Sequence, residues 1–339
     1  MMRFENSIQV HHNMKGKSTM NIKENFIKAI FRQNPEWVPQ CDEAVFTIKP
    51  PICERPDEAG KDVFGCEWDI KEQAQSGTYP AERNFVITDI SKWREQVVFP
   101  NVNDFDWSFA KKAAEAVDKE KYLVGGFVEM GIFERIYLLM GMEEALMAYY
   151  TDADELEALA SAIADYKIAF LKKYHEEVGI EYVWYSDDWG TQRNMFISPD
   201  IWRRVIKPHT KRIYDCAKSL GIIFTQHSCG KIESIIGDLV EMGADCWHPC
   251  QPCNDLFALK KQYGDRICFV GGVDSQFVLD NDAATPDDVV NEVKKRISEM
   301  ALPNGGYIVG PSHSVPYDKD KLDAMNRTIR EYGSAIYKS

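Results

Sequence analysis

No stretch of the chain is apolar for anything near the roughly 20 residues that cross a bilayer. The opening MMRFENSIQVHHNMKGK also lacks the apolar core of a secretion signal. Membrane insertion and export are therefore not expected, and the expected location is the cytoplasm. Basic residues are in deficit, with 40 Lys plus Arg against 53 Asp plus Glu and a formal charge of -13. So acidic a surface repels phosphate backbones and anionic lipid headgroups, which makes nucleic acid and membranes poor partners. There is no G-x-x-x-x-G-K-[ST] loop, no G-x-G-x-x-G after a strand and no G-x-S-x-G elbow. NTP hydrolysis, tight dinucleotide binding and the common esterase design are disfavoured accordingly. A paired cysteine framework is missing too: nine cysteines are an odd number, scattered through the chain, and read as reduced thiols of which some bind metal.

What is present is an ordinary globular composition, 45% hydrophobic and 27% charged, with ample apolar surface for one large core. Residues 1–19 show no periodicity and read as a flexible tail. Helical spacing begins at Met20 and runs through Ile22, Phe26, Ile27, Ile30 and Phe31. Residues 33–108 are irregular, with short strand-like pieces at Val45–Ile48 and Phe85–Ile87. From residue 121, apolar β-rich runs alternate with helix-length segments: Tyr122–Val128, Tyr182–Tyr185, Ile222–Thr225, Cys246–Trp247, Ile267–Val270 and Tyr307–Val309. Such alternation implies a parallel sheet. Six units after residue 120, with room for two before it, predict an α/β fold of the (β/α)8 TIM-barrel type. On this reading residues 20–339 form a single domain, with 20–120 as an irregular N-terminal part over the barrel mouth. An open doubly wound sheet is the alternative.

Each strand-like run ends in a polar or metal-capable residue: Glu129, Asp187 and Asp188, His227 and Cys229, His248 and Cys250, Asp274, and His313. The carboxyl ends of barrel strands converge on one mouth, where catalysis resides, so this coincidence marks an enzyme. In His227-Ser228-Cys229-Gly230, residues i and i+2 of an extended segment point to one side and can share a metal ion. An imidazole with a thiolate suits Zn2+. His313, at a comparable offset on the last strand, is the expected third ligand. Cys250 is the alternative, since His248 and Cys250 repeat the same spacing next door, and Cys253 ranks lower. Glu129, Asp187 and Asp188 are candidate catalytic carboxylates that orient substrate or move protons. Adjacent Asp187 and Asp188 point opposite ways, so at most one faces a pocket. Gln192 and Asp274 are candidate substrate contacts. Cys246 and Cys268, together with Met130, Phe133, Tyr137 and Met140 at helical spacing, read as core.

Four segments carry a resemblance: YSDDWGTQRNMFISPDIWRRVIKPHTKRI, FTQHSCGKIESIIGDLVEMGAD, KKQYGDRICFVGGVDSQ and GGYIVGPSHSVP. With the opening NIKENFIKAIFRQNPEWVP, they make residues 20 to the end resemble the uroporphyrinogen decarboxylase superfamily. The porphyrin decarboxylases of that group carry R-x-x-G-R-Y, where this chain reads Pro35-Glu36-Trp37-Val38-Pro39-Gln40-Cys41. The H-x-C element of its corrinoid-dependent zinc methyltransferases is intact at His227 and Cys229. Those that methylate coenzyme M add a Cys near the last strand, where this chain has Ser312 and His313. Fewer thiolates leave zinc more positive and a better Lewis acid toward an ether oxygen. The resemblance thus implies the methyl-donor component of an anaerobic O-demethylase: Zn2+ holds a small-molecule aryl methyl ether, and a separate corrinoid (cobalamin) protein takes the methyl group. The corrinoid is external because the chain has no D-x-H-x-x-G element. A methylcobamide:thiol methyltransferase and a non-catalytic tetrapyrrole- or corrinoid-binding relative are the competing readings. A homodimer is left open.

Overall fold

In the computed structural model of the chain, residues 20–41, 43–70 and 77–337 are described, and the expected tail of residues 1–19 lies outside them. The apolar runs become parallel strands whose alternate residues serve two different cores. The strands are β1 (Val45–Ile48), β2 (Gly60–Lys61), β3 (Glu67–Ile70), β4 (Thr78–Pro80), β5 (Leu123–Val128), β6 (Tyr182–Ser186), β7 (Ile223–His227), β8 (Cys246–His248), β9 (Cys268–Val273) and β10 (Tyr307–Pro311). Seven pair in parallel in the order β1-β5-β6-β7-β8-β9-β10. The two ends of this sheet meet through one bent segment: Gln40 bridges Val309, and the same segment continues into β1 beside β5. The Cys41 N–H donates to the Val309 carbonyl at 2.8 Å, and the Val309 N–H to that of Pro39 at 2.9 Å. The sheet is therefore curled into a barrel.

Inside it, Leu123, Tyr182, Trp184, Cys246, Cys268, Val270 and Ile308 form a lumen cluster with Phe26 and Ile30. Their strand neighbours Val124, Val183, Tyr185, Phe224, Trp247, Phe269 and Val309 pack outward against the helices. Burial on both faces explains why these runs read as continuously apolar. Helix Ile22–Phe31, capped by the Asn21 side chain on Glu24 N–H, closes the lower end of the lumen with Phe26 against Tyr182.

The early strand expected at Phe85–Ile87 is not one. Ile87 instead donates its N–H to Leu139 O at 2.8 Å, in a loop leaned against helix Ile132–Met140. The helical run IWRRVIKPHTKRI is split into Pro199–Val205 and Lys207–Ser219, as Pro208 cannot continue an i to i−4 ladder. Ser198 does cap the first of these, and Thr285 forms a full capping box with Asp288.

The N-terminal irregular part is a small antiparallel sheet, β2-β3-β4, tied to the barrel by buried ions. The Arg135 guanidinium donates to Asp62 at 2.6 Å and to Glu54 at 3.1 Å. The Lys167 ammonium reaches Glu54 and the Glu129 carbonyl oxygen, both at 2.5 Å. All four side chains are buried, so removing one leaves its partner as an uncompensated charge, at a cost of roughly 3–5 kcal/mol. The clamp seats residues 54–62 beside the C-terminal end of β5, on the side of the mouth.

Candidate metal centre

Lumen parity places His227 at the top of β7 and His248 at the top of β8, both turned toward the barrel axis in register with one another. Beyond β7 the chain turns through Ser228-Cys229-Gly230, and beyond β6 through Asp187-Asp188-Trp189-Gly190. These two loops touch backbone to backbone. A Cβ on Gly230 would lie 2.2 Å from the Gly190 carbonyl carbon, and Gly230 itself has φ +86°, so glycine is required there. The Trp189 N–H donates to Ser228 Oγ at 3.0 Å, the Lys231 N–H to Thr191 O at 2.8 Å and the Gly230 N–H to Gln251 Oε1 at 2.5 Å. Asn254 accepts from the Ile232 N–H at 2.9 Å and donates to Gly230 O at 2.9 Å. Cys229 is thereby held on a braced turn.

The result is a three-residue donor group. Ligand atoms of Asp188, His227 and Cys229 all lie within 4.8 Å of one another. His227 Nε2 is 3.5 Å from Cys229 Sγ and 3.5 Å from Asp188 Oδ1, and the same Oδ1 accepts the Cys229 N–H at 2.7 Å. Asp187 points the other way. It is fully buried and accepts the N–H groups of Phe133 at 3.1 Å and Glu134 at 2.9 Å, capping helix Ile132–Met140. Burial raises its carboxyl to about 6, even though those two bonds pull it down.

The structure distributes the other anticipated residues less tightly. Glu129, partly buried at the end of β5, is raised to about 7, mainly by desolvation. His313 is exposed, and its N–H donates to Ser275 Oγ at 3.0 Å. It lies outside the donor group, though its charge still weighs on His227 and His248. Cys250 is buried in the outer, helix-facing core, with its thiol donating to Trp247 O at 3.2 Å. Cys253, half-buried, lies near enough to Cys229 for its charge to be felt there. Gln192 is exposed in its loop, and Asp274 caps the turn Ser275–Leu279 by accepting the Phe277 N–H at 2.9 Å. So Asp188, His227 and Cys229 come together, while Glu129, Asp187, Gln192, Asp274, His313 and Cys250 stand apart from that group.

Glu134 carries no signal in the sequence. It sits in the first turn of helix Ile132–Met140, and its Oε2 is buried without a hydrogen-bond partner among the described residues. Burial and the charges of Asp188 and Asp187 push this carboxyl well up. The Cys229 thiol is likewise pushed well up by burial, then by Asp188 and Glu134, while burial drives His227 down. The surroundings thus disfavour the charged forms of the Cys229 thiol, the Glu134 carboxyl and the His227 imidazole alike. A divalent cation would reverse that for the thiol and the carboxyl, and the mixed N, O and S donors are the set a zinc ion accepts.

Against this geometry, a family model described as uroporphyrinogen decarboxylase (URO-D) matches residues 60–332. The methylcobamide:CoM methyltransferase MtaA of Methanosarcina barkeri is 29% identical over 83 residues, and the match spans only 24% of that relative and 24% of this chain. A solved methyltransferase from Methanosarcina mazei superposes with a TM-score of 0.67 at 16% identity, covering 92% of this chain and 99% of the other. At that identity the superposition speaks for a shared fold.

Proposed function

The chain belongs to the uroporphyrinogen decarboxylase family, and on that premise we propose that it is a zinc-dependent methyltransferase. In this reading it moves a methyl group from an aryl methyl ether to the Co(I) of a separate corrinoid protein. The observation that carries it is the Asp188, His227 and Cys229 group at the barrel mouth. Only one thiolate belongs to that set, because Cys250 faces the outer core. When bound there, zinc supplies Lewis acidity toward the oxygen that the methyl group leaves.

The chain's own residues divide the remaining work. Asp188 braces the Cys229 turn through the backbone N–H as well as offering a donor oxygen. Asp187 fixes the helix that carries Glu134. Glu129, raised to about 7, retains its proton near neutrality and can hand it to the departing oxygen as C–O cleavage leaves an electron pair there. Arg135 and Lys167, through Glu54, hold the N-terminal sheet beside Glu129, where it forms a wall for substrate selection. The corrinoid partner, the methyl donor and cytoplasmic operation follow from this reading. No described helix is long and apolar enough to cross a membrane.

A second reading, a methylcobamide:thiol methyltransferase, is favoured by the 83-residue similarity to MtaA. One assay separates them. The purified chain is mixed with a Co(I) corrinoid protein and a panel of aryl methyl ethers, and separately with methylcobalamin and a thiol. The corrinoid spectrum should change and a phenol should appear in the first mixture. Methyl transfer to the thiol alone would move the assignment to the second reading, and transfer in neither would reject both.

A further inference from the structure

His248 is not one of the three donors, yet its ring nitrogen contacts one of them directly. Its Nδ1 lies 2.7 Å from Nδ1 of His227, with the two rings tilted by 34° and their centroids 4.8 Å apart. His248 is 1% exposed, and its ring meets Trp184 edge-on at 4.2 Å. Two ring nitrogens at that distance share one proton, so one ring donates and the other accepts.

The rest of His227 decides which. Its Nε2 faces Cys229 and Asp188, and an imidazole nitrogen binds metal only through a bare lone pair. Neutral imidazole with Nε2 bare carries its proton on Nδ1. His227 must then donate, and His248 must accept through an unprotonated Nδ1, with its own proton on Nε2.

Resting on the metal-centre reading, we propose that His248 is a positioning residue for the metal: by accepting a hydrogen bond from the His227 Nδ1–H, it fixes the tautomer and ring angle that aim Nε2 at the site. Carboxylates or backbone carbonyls commonly hold a metal-binding histidine in this way. Here another imidazole does so, from the adjacent strand and in register. Since β7 and β8 are paired backbone to backbone, the acceptor is as rigid as the sheet.

The test compares two replacements in the full chain. His248→Phe keeps a planar ring against Trp184 but has no acceptor, while His248→Asn places an amide oxygen near the Nδ1 position. Zinc affinity is read by competition with a chromophoric chelator, and site geometry by the visible spectrum of the cobalt(II)-loaded protein. His248→Phe should bind zinc about 10–100-fold more weakly and shift the cobalt(II) bands. His248→Asn should recover most of the affinity and the wild-type bands. Equal zinc affinity in wild type and His248→Phe overturns the proposal, as does an Asn variant no better than Phe, which would mean that only packing matters. Should His248→Phe fail to fold, near-wild-type affinity and bands in His248→Asn support it, and their loss overturns it. A wild-type chain that binds neither metal overturns the metal centre itself and this proposal with it, an outcome distinct from the other two.

Discussion

The residues that carry the site differ in how openly they declare themselves. His227 and Cys229 announce a shared face through their i, i+2 spacing at a strand end, and Asp188 stands in a loop where alternation allowed one carboxylate to face inward. Glu134 lies inside an apolar helical run, so nothing local distinguishes it from a surface acid. What draws it to the candidate site is the burial of its Oε2 and the crowd of charges around it. His313 shares a strand-end offset with the donors, but the turn after β10 leaves it exposed, a direction that offset cannot report. A different, half-buried acid gives a measurable pH dependence away from the metal centre. Glu43 accepts the Trp37 Nε1–H at 2.9 Å and the Gln40 N–H at 3.0 Å, yet desolvation raises its carboxyl from 4.5 to about 7. Between those two values the folded chain holds a proton that the unfolded chain has released, so stability falls as pH rises through the window and levels off above it. Each pKa unit is worth about 1.4 kcal/mol, which caps the Glu43 share at about 3 kcal/mol. Urea midpoints of the metal-free protein at pH 5 and pH 7.5 should drop with pH in wild type and drop less in Glu43→Gln. Equal drops would mean that Glu43 ionises freely in the fold.

Among elements, the strands from β5 to β10 were legible because two-sided burial writes them as apolar runs, and the helices because caps such as Ser198 and Thr285 mark their starts. Phe85–Ile87 misled because an apolar triplet can satisfy its backbone against a helix end as well as within a sheet. The closing contact at Gln40 was illegible, since a single bridge leaves no periodic trace. Which loops touch was also beyond reach: Gly190 and Gly230 look like any other glycines until their backbones meet. That meeting predicts a contrast between two glycines of similar backbone conformation. Gly230 and Gly221 have φ +86° and +71°, but nothing lies within 4 Å of a Cβ at Gly221. Both Ala variants bear the left-handed penalty of roughly 1–2 kcal/mol. Gly230→Ala must in addition push the Asp188 loop away from Cys229, so its urea midpoint should fall further and its zinc affinity should fall with it. Matching losses in the two variants, with zinc binding intact, would show that the two loops tolerate separation.

For the whole molecule, the barrel converts scattered sequence signals into one mouth. Asp188, His227 and Cys229 gather there because β6 and β7 are neighbours, and His248 joins them because β8 is next. The small N-terminal sheet is locked to the same end through Glu54, Asp62, Arg135 and Lys167, an arrangement invisible in sequence because the paired charges are separated by 73 to 113 residues of chain and meet only in the fold. The proposed function requires those three donors to hold one metal ion. Elemental analysis of the purified chain, alongside His227→Ala, Cys229→Ala, Asp188→Asn and His313→Ala, measures this directly. About one zinc per wild-type chain is expected, none in the His227 and Cys229 variants, a reduced content in Asp188→Asn and an unchanged content in His313→Ala. Zinc that persists in both His227→Ala and Cys229→Ala, or a wild-type chain that never binds it, would contradict the proposed function.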